Sequence, residues 1–273
     1  MKTKPLFLAA TSLFFLFQSC LFASYAICNA YSVYGNLSDS DLKTSHSLTK
    51  PAQAEVLVSA GPSDRASSWA QATLDGKVYG FTEGFGTAGV DIYAHSSAVS
   101  SADWLVWSDT VPLGTPVRVW VDLLFVGYLS SYHSRAASSA SVQLSLNGQS
   151  IYAGSARYQI PTVTAEGSWV DSCGARIAYY CNVYAPGSLF LQTAVGQTIN
   201  LTLTLQTSVE CPQITIGGAR TDFSSSGSYT FLGVYSTGTP SKPLNVQMIL
   251  IPEPASLFLL ACGGCLLGRN FRK

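Results

Sequence analysis

The chain has 273 residues, its 15 lysines and arginines balance its 15 aspartates and glutamates, and only 11% of it is charged. Zero net charge without a basic patch argues against a nucleic-acid partner, and the lack of an acidic tract argues against cation storage. A hydrophobic fraction of 47%, with abundant Ser, Thr, Gly, Ala and Tyr, fits instead an exported all-β protein with one good-sized core.

Lys2 and Lys4 precede an apolar run from Leu6 to Phe17, and Ser24-Tyr25-Ala26 sets small residues at the two positions a signal peptidase reads. Residues 1–26 are therefore expected to be a secretory leader, cut after Ala26 and absent from the fold. Cleavage after Ala23 satisfies the same rule. As a lipoprotein site Cys20 is weak, because Phe17-Gln18-Ser19 lacks the usual leucine and carries a bulky glutamine.

The exported segment, 27–250, is expected to hold Cys28, Cys173, Cys181 and Cys211, an even number suited to an oxidising compartment. Four cysteines allow three pairings, and locality favours Cys173 with Cys181; the alternative joins one of these to Cys211. Neither pair has zinc-like spacing with histidines nearby, so no metal is expected.

Residues 28–50 are polar with no sustained period, and strand-like material begins at Ala54. Asp75-Gly76 separates Ala66–Leu74 from Lys77–Thr82 as a hairpin turn would, and Gly84, Gly86 and Gly89 then break the pattern. Val90–Val99 alternates, and Trp104–Trp107 follows. In Val117–Leu123 the valines and Leu123 share one face, with Arg118, Trp120 and Asp122 on the other. Val142–Leu146 runs into the turn pair Asn147-Gly148, and Ile199–Leu205 alternates branched aliphatics with polar residues throughout. Tyr229–Tyr235 and Leu244–Leu250 complete the set. Ten to thirteen short strands, with no helical period of 12 residues away from the termini, predict an antiparallel β-sandwich of jelly-roll type; an open Greek-key barrel is the alternative.

No catalytic motif stands out. The three histidines, His46, His95 and His133, lie among so many serines that a nearby serine carries no information, and no Gly-x-Ser-x-Gly elbow or His-Glu-x-x-His occurs. Carboxylates such as Glu83, Asp122 and Glu166 are scattered without the local pairing that would point to glycoside hydrolysis. A non-enzymatic protein without a cofactor is expected. The aromatics offer more, because Trp120, Trp169 and Tyr180 could stack on sugar rings; the competing role is cross-strand packing.

The chain ends with Pro252-Glu253-Pro254, an apolar run from Leu257 to Leu267, and the basic residues Arg269, Arg272 and Lys273. The prolines favour an extended segment open to an enzyme, and the basic end would stay cytoplasmic. This order of parts resembles the PEP-CTERM sorting signal. The resemblance implies that residues 251–273 form a sorting tail with a transmembrane helix, processed by an exosortase-type membrane protease-transpeptidase in a Gram-negative producer of exopolysaccharide. The precursor would be anchored transiently, and the mature protein would reach the cell surface or matrix as a structural or adhesive module, with extracellular polysaccharide a possible partner. The run is shorter than the ~20 residues that span a bilayer comfortably, and Ile249 to Ile251 would lengthen it. Trp107–Gly114, the serine- and alanine-rich strand Ala136–Val142 and Gly196–Leu203 are also similar to the mature domains of many such proteins, which supports the sandwich and implies no activity.

Overall fold

The computed structural model describes residues 24–251 apart from 48, 62, 88, 161, 168–169, 172–179, 225–226 and 240, with backbone only for 163, 165–167, 170–171 and 180–188. In chain order its strands are β1 (Tyr25–Tyr34), β2 (Leu37–Ser45), β3 (Ala52–Gly61), β4 (Asp64–Ala72), β5 (Val78–Gly86), β6 (Val90–Trp107), β7 (Pro116–Ser131) and β8 (Ala137–Leu146). There follow β9 (Gln149–Gln159), β10 (Thr162–Gly167), β11 (Val170–Asp171), β12 (Tyr180–Ala194), β13 (Thr198–Ile214), β14 (Gly217–Phe223), β15 (Gly227–Ser236) and β16 (Gln247–Leu250). The described residues contain no helix, and so none long and apolar enough to cross a membrane.

Two antiparallel sheets pack face to face. The first has the order β10-β9-β8-β13-β6-β1-β2, with β16 also on β6; the second has β11-β12-β7-β14-β5-β4-β3, with β15 also on β7. Strict alternation explains the arrangement, because a period of two buries one face of each strand and leaves the other wet. Ile199, Leu201, Leu203 and Leu205 of β13 point inward to meet Val117, Val119, Val121 and Leu123 of β7 in one core. Each such side chain contributes roughly 1.5–3 kcal/mol of burial. Trp104 of β6 reaches across to donate its Nε1–H to the Tyr229 hydroxyl of β15 (2.9 Å), and its ring meets Phe231 edge-on at 4.8 Å.

Several expectations hold and others shift. Asn147 and Gly148 both take positive φ (50° and 81°) between β8 and β9, as a tight hairpin turn demands. The strands are longer than short-run patterns suggest, and β6 runs unbroken for 18 residues. The polar stretch 28–50 contains most of β1 and all of β2. In β1 the inward residues before Tyr34 are small (Ala26, Cys28, Ala30 and Ser32), and β2 is an edge strand exposed along almost its whole length, so neither carries a strong apolar period. Gly84 and Gly86 do not break β5. They let the sheets approach, since a Cβ at Gly84 would lie 2.9 Å from Cγ2 of Ile92 and one at Gly86 2.6 Å from its Cδ1.

Both ends of the described segment lie in the first sheet. Ala26 is fully buried in β1, opposite Ser45 and Ser100, and Ile249 and Leu250 belong to β16 rather than to an apolar tail. Cys28 and Cys211 are free, buried thiols. Their neighbours on β6, Ala98 and Ile92, are six residues apart, which separates the two sulfurs by roughly 20 Å, far beyond disulfide reach. Burial pushes both thiols up to about 12, so they stay protonated and serve as small apolar side chains. Cys173 lies outside the described residues, and Cys181 is placed only by its backbone, opposite Leu129.

Candidate functional site

The outer face of the first sheet is paved with short polar residues. Ser139 and Ser141 on β8, Ser97 and Ser101 on β6, and Thr202, Thr204, Gln206 and Ser208 on β13 all alternate with inward apolar or small residues. Register aligns them across strands. His95, Ser208, Ser139, Arg157 and Thr164 form one row, and Ser97, Gln206, Ser141 and Ser155 form the next.

Because the floor is built from serine, alanine and glycine, a trough opens over it. One depression of ≈ 360 Å³ is walled by His95, Ser139, Arg157, Thr164, Gln206 and Ser208. A second of ≈ 370 Å³ continues past Gln143, Ala153, Gly154 and Thr204, and the two share Ser141, Ser155 and Gln206. From Ser208 to Thr204 the trough runs about 13 Å along β13.

Its walls are set by local contacts. Arg157 donates Nη2–H to Glu210 Oε2 at 3.1 Å, a half-exposed pair that spans β9 and β13. The Ser139 and Ser208 hydroxyls lie 2.6 Å apart, and Ser141 Oγ donates to Gln206 Oε1 at 3.4 Å. On the β6 side, His95 stacks on Tyr93 (6.4 Å, 7° between planes), and Tyr31 leans on Tyr93 at 6.0 Å. Burial lowers the proton affinity of His95, so at neutral pH its ring is uncharged and offers one donor and one acceptor. The lining thus combines hydroxyls, two side-chain amides, a guanidinium and a neutral imidazole, with the Glu210 carboxylate on Arg157 and two tyrosine rings beside it. Such a set can replace the water around a polyhydroxylated chain bond for bond. Among the described residues no group of three or more His, Cys, Asp or Glu side chains gathers to hold a metal ion.

The sequence-predicted aromatics lie elsewhere. Trp120 is on the outer face of the second sheet, half-buried, with Phe190 stacked on it (5.8 Å, 26°) and Tyr235 tilted against it at 6.1 Å. One face of its indole is therefore already covered. Farther along the same sheet the Arg220 guanidinium sits over Phe81 (4.8 Å) and Tyr128 (5.3 Å) and pairs with Asp222 at 2.6 Å. Tyr180 is placed by its backbone opposite Ser130, and Trp169 lies outside the described residues. So do Pro252, Glu253, Pro254, Arg269, Arg272 and Lys273. The structure does not join Trp120 to the trough, which occupies the opposite face of the sandwich. The trough went unseen in the sequence because serines at alternate strand positions form no motif; their recurrence at 139, 141 and 97, 101 was its only trace.

One buried charge on this face makes a pH prediction. Asp103 accepts a hydrogen bond from Asn200 Nδ2 (2.8 Å) and is only 4% exposed. Burial raises its pKa, and the Asn200 bond opposes but does not cancel that shift. A carboxyl raised in the folded state favours folding while protonated, and that contribution is lost as pH rises through the folded-state value. Asp103→Asn is therefore expected to stabilise the domain at pH 7 by about 1 kcal/mol. The gain should vanish in acid, where wild-type Asp103 is already neutral; paired denaturant melts at the two pH values measure it.

No family model matches the chain, and no curated protein matches it. The fold and site define the class: a two-sheet antiparallel β-sandwich with a hydroxyl-lined trough on one outer face and an aromatic cluster on the other.

Proposed function

We propose that the chain is an exported, non-enzymatic β-sandwich protein that reaches the cell surface or the exopolysaccharide matrix through its Pro-Glu-Pro, apolar and basic tail. In this reading the chain path is jelly-roll-like, residues 251–273 anchor the precursor through a membrane helix, and an exosortase-type enzyme releases it. The supporting observation is where the sheet ends. Among the described residues Leu250 is the last in a strand, and Ile251 N donates to Asp103 O (2.9 Å), so the ladder is held up to the residue before Pro252. At the other end Ser24 Oγ accepts from Asp103 N (3.1 Å), Tyr25 pairs with Ser101 of β6, and Ala26 pairs on both sides, with Ser100 and Ser45. A leader ending at Ala23 leaves β1 whole, whereas one ending at Ala26 removes its first two rungs. Deleting residues 252–273 is expected to move the protein from the membrane fraction of its host to the soluble fraction; unchanged membrane retention would sink the reading.

The trough favours a second reading, a carbohydrate-binding module that holds the protein in the matrix. Its ligand would be a linear polysaccharide lying along β8 and β13, bonded by Gln206, Arg157 and the serines, with Tyr31 and Tyr93 at its side. Retardation of the protein in gels containing host exopolysaccharide measures this. Arg157→Ala with Gln206→Ala should weaken retardation at least about tenfold, as losing two polar ligand contacts does. Equal retardation of the variant and the wild type would exclude the trough as the site.

A further inference from the structure

Both ends of the folded domain leave it at one point. Ser24 Oγ donates to Ile251 O (3.3 Å), and β1 and β16 lie end to end along the same edge of β6, with Tyr25 opposite Ser101 and Leu250 opposite Trp104. Neither end can continue along the sheet, because the other occupies its path.

Around this exit the outer face of the sheet changes character. Away from the trough, alternate positions become apolar: Tyr25 and Ile27 on β1, Leu105 and Trp107 on β6, and Ile249 on β16, directly opposite Leu105. Trp107 is 44% exposed and Ile249 40%. Leu113, 72% exposed, stands at the same end, since Gly114 N donates to Val195 O and the neighbouring Gly196 N donates to Val106 O. Asp103, which falls among these residues, is buried and hydrogen-bonded.

The sequence beyond the exit says what covers this patch. Only residues 252–256 separate Ile251 from the apolar run that starts at Leu257, a reach of at most roughly 20 Å. The leader's apolar run ends at Phe17, a similarly short way before Ser24. Whatever holds those runs must come close to the patch.

We propose that this end of the first sheet is a membrane-facing surface, with Trp107, Leu113 and Ile249 entering the headgroup region of the bilayer while the precursor is anchored. The proposal rests on reading residues 252–273 as a membrane-inserted tail. Trp is the side chain best suited to that depth, having an apolar body and an N–H that can stay wet. Ten residues of β6 separate Leu105 from His95, so the trough lies roughly 30 Å from the patch along the strand.

The test uses the full chain mixed with phosphatidylethanolamine and phosphatidylglycerol vesicles carrying lipid brominated at shallow acyl positions. Flotation reads whether the chain inserts, and tryptophan emission reads which indole meets lipid. The expected result is flotation, with quenching of the emission that Trp107→Phe removes and none of the emission that Trp120→Phe removes. Flotation with the Trp107 emission unquenched would overturn the membrane-facing surface and leave the tail reading intact. A chain that fails to float would overturn both.

Discussion

Replacing Gly218 by valine is expected to unfold the domain or to leave it severely destabilised. Gly218 is buried in β14 opposite Phe85, and a Cβ there would strike the carbonyl of Gly84 on β5 and Cδ1 of Phe85, the latter at 2.8 Å. The clash has no outlet. Gly84 cannot retreat, because its own open side already receives Ile92 and Val209 from the facing sheet. Gly218 and Gly84 are thus close neighbours within one sheet, with the facing sheet packed directly against Gly84, and interiors packed to that density resist small displacements. Overpacking of this kind costs about 3 kcal/mol or more, a large part of a typical domain's stability. For a domain of this size that corresponds to a fall in Tm of about 10 °C. A thermal melt followed by tryptophan emission checks it, and a variant melting within about 2 °C of wild type would show that the sheets can part here after all.

The second large effect concerns export. Glu253→Ala is expected to leave the β-sandwich untouched, because the described sheet is held by strand residues up to Leu250 and by the bond from Ile251 N to Asp103 O. Stability should therefore be unchanged, while release of the tail should fail. The glutamate lies between two prolines that lack backbone donors, so a processing enzyme has few groups to recognise there besides its carboxylate. Removing it should leave the precursor intact at its C-terminus. The contrast with Gly218→Val is useful, since one variant loses the fold and the other loses only its processing.

Much of the sandwich could be read from side-chain alternation. β13 and the first half of β7 were plain because large aliphatics occupy one face of each, and Asn147-Gly148 marked its hairpin through the positive φ that both positions require. β1 and β2 were not plain. Before Tyr34 the inward residues of β1 are alanine, cysteine and serine, which fill a narrow part of the core without standing out as apolar, and β2 is held through its backbone at an edge where side chains are free to be polar. Gly84 and Gly86 looked like breakers because a sequence does not tell which glycines face an incoming sheet. The trough was hidden for a related reason: its shape arises from what its residues lack. Serine and alanine leave a low floor only once five strands place them side by side. Trp120, conspicuous in the sequence, stacks on Phe190 instead.

The most direct test of this account is the intact mass of the mature protein from its native host, for wild type and for Glu253→Ala. The prediction is a wild-type product that begins at Ser24 and has lost the tail beyond the Pro-Glu-Pro motif, beside a variant that begins at the same residue and keeps its C-terminus to Lys273. A wild-type protein whose mass includes the whole tail would contradict sorting and leave a β-sandwich exported with its tail still attached.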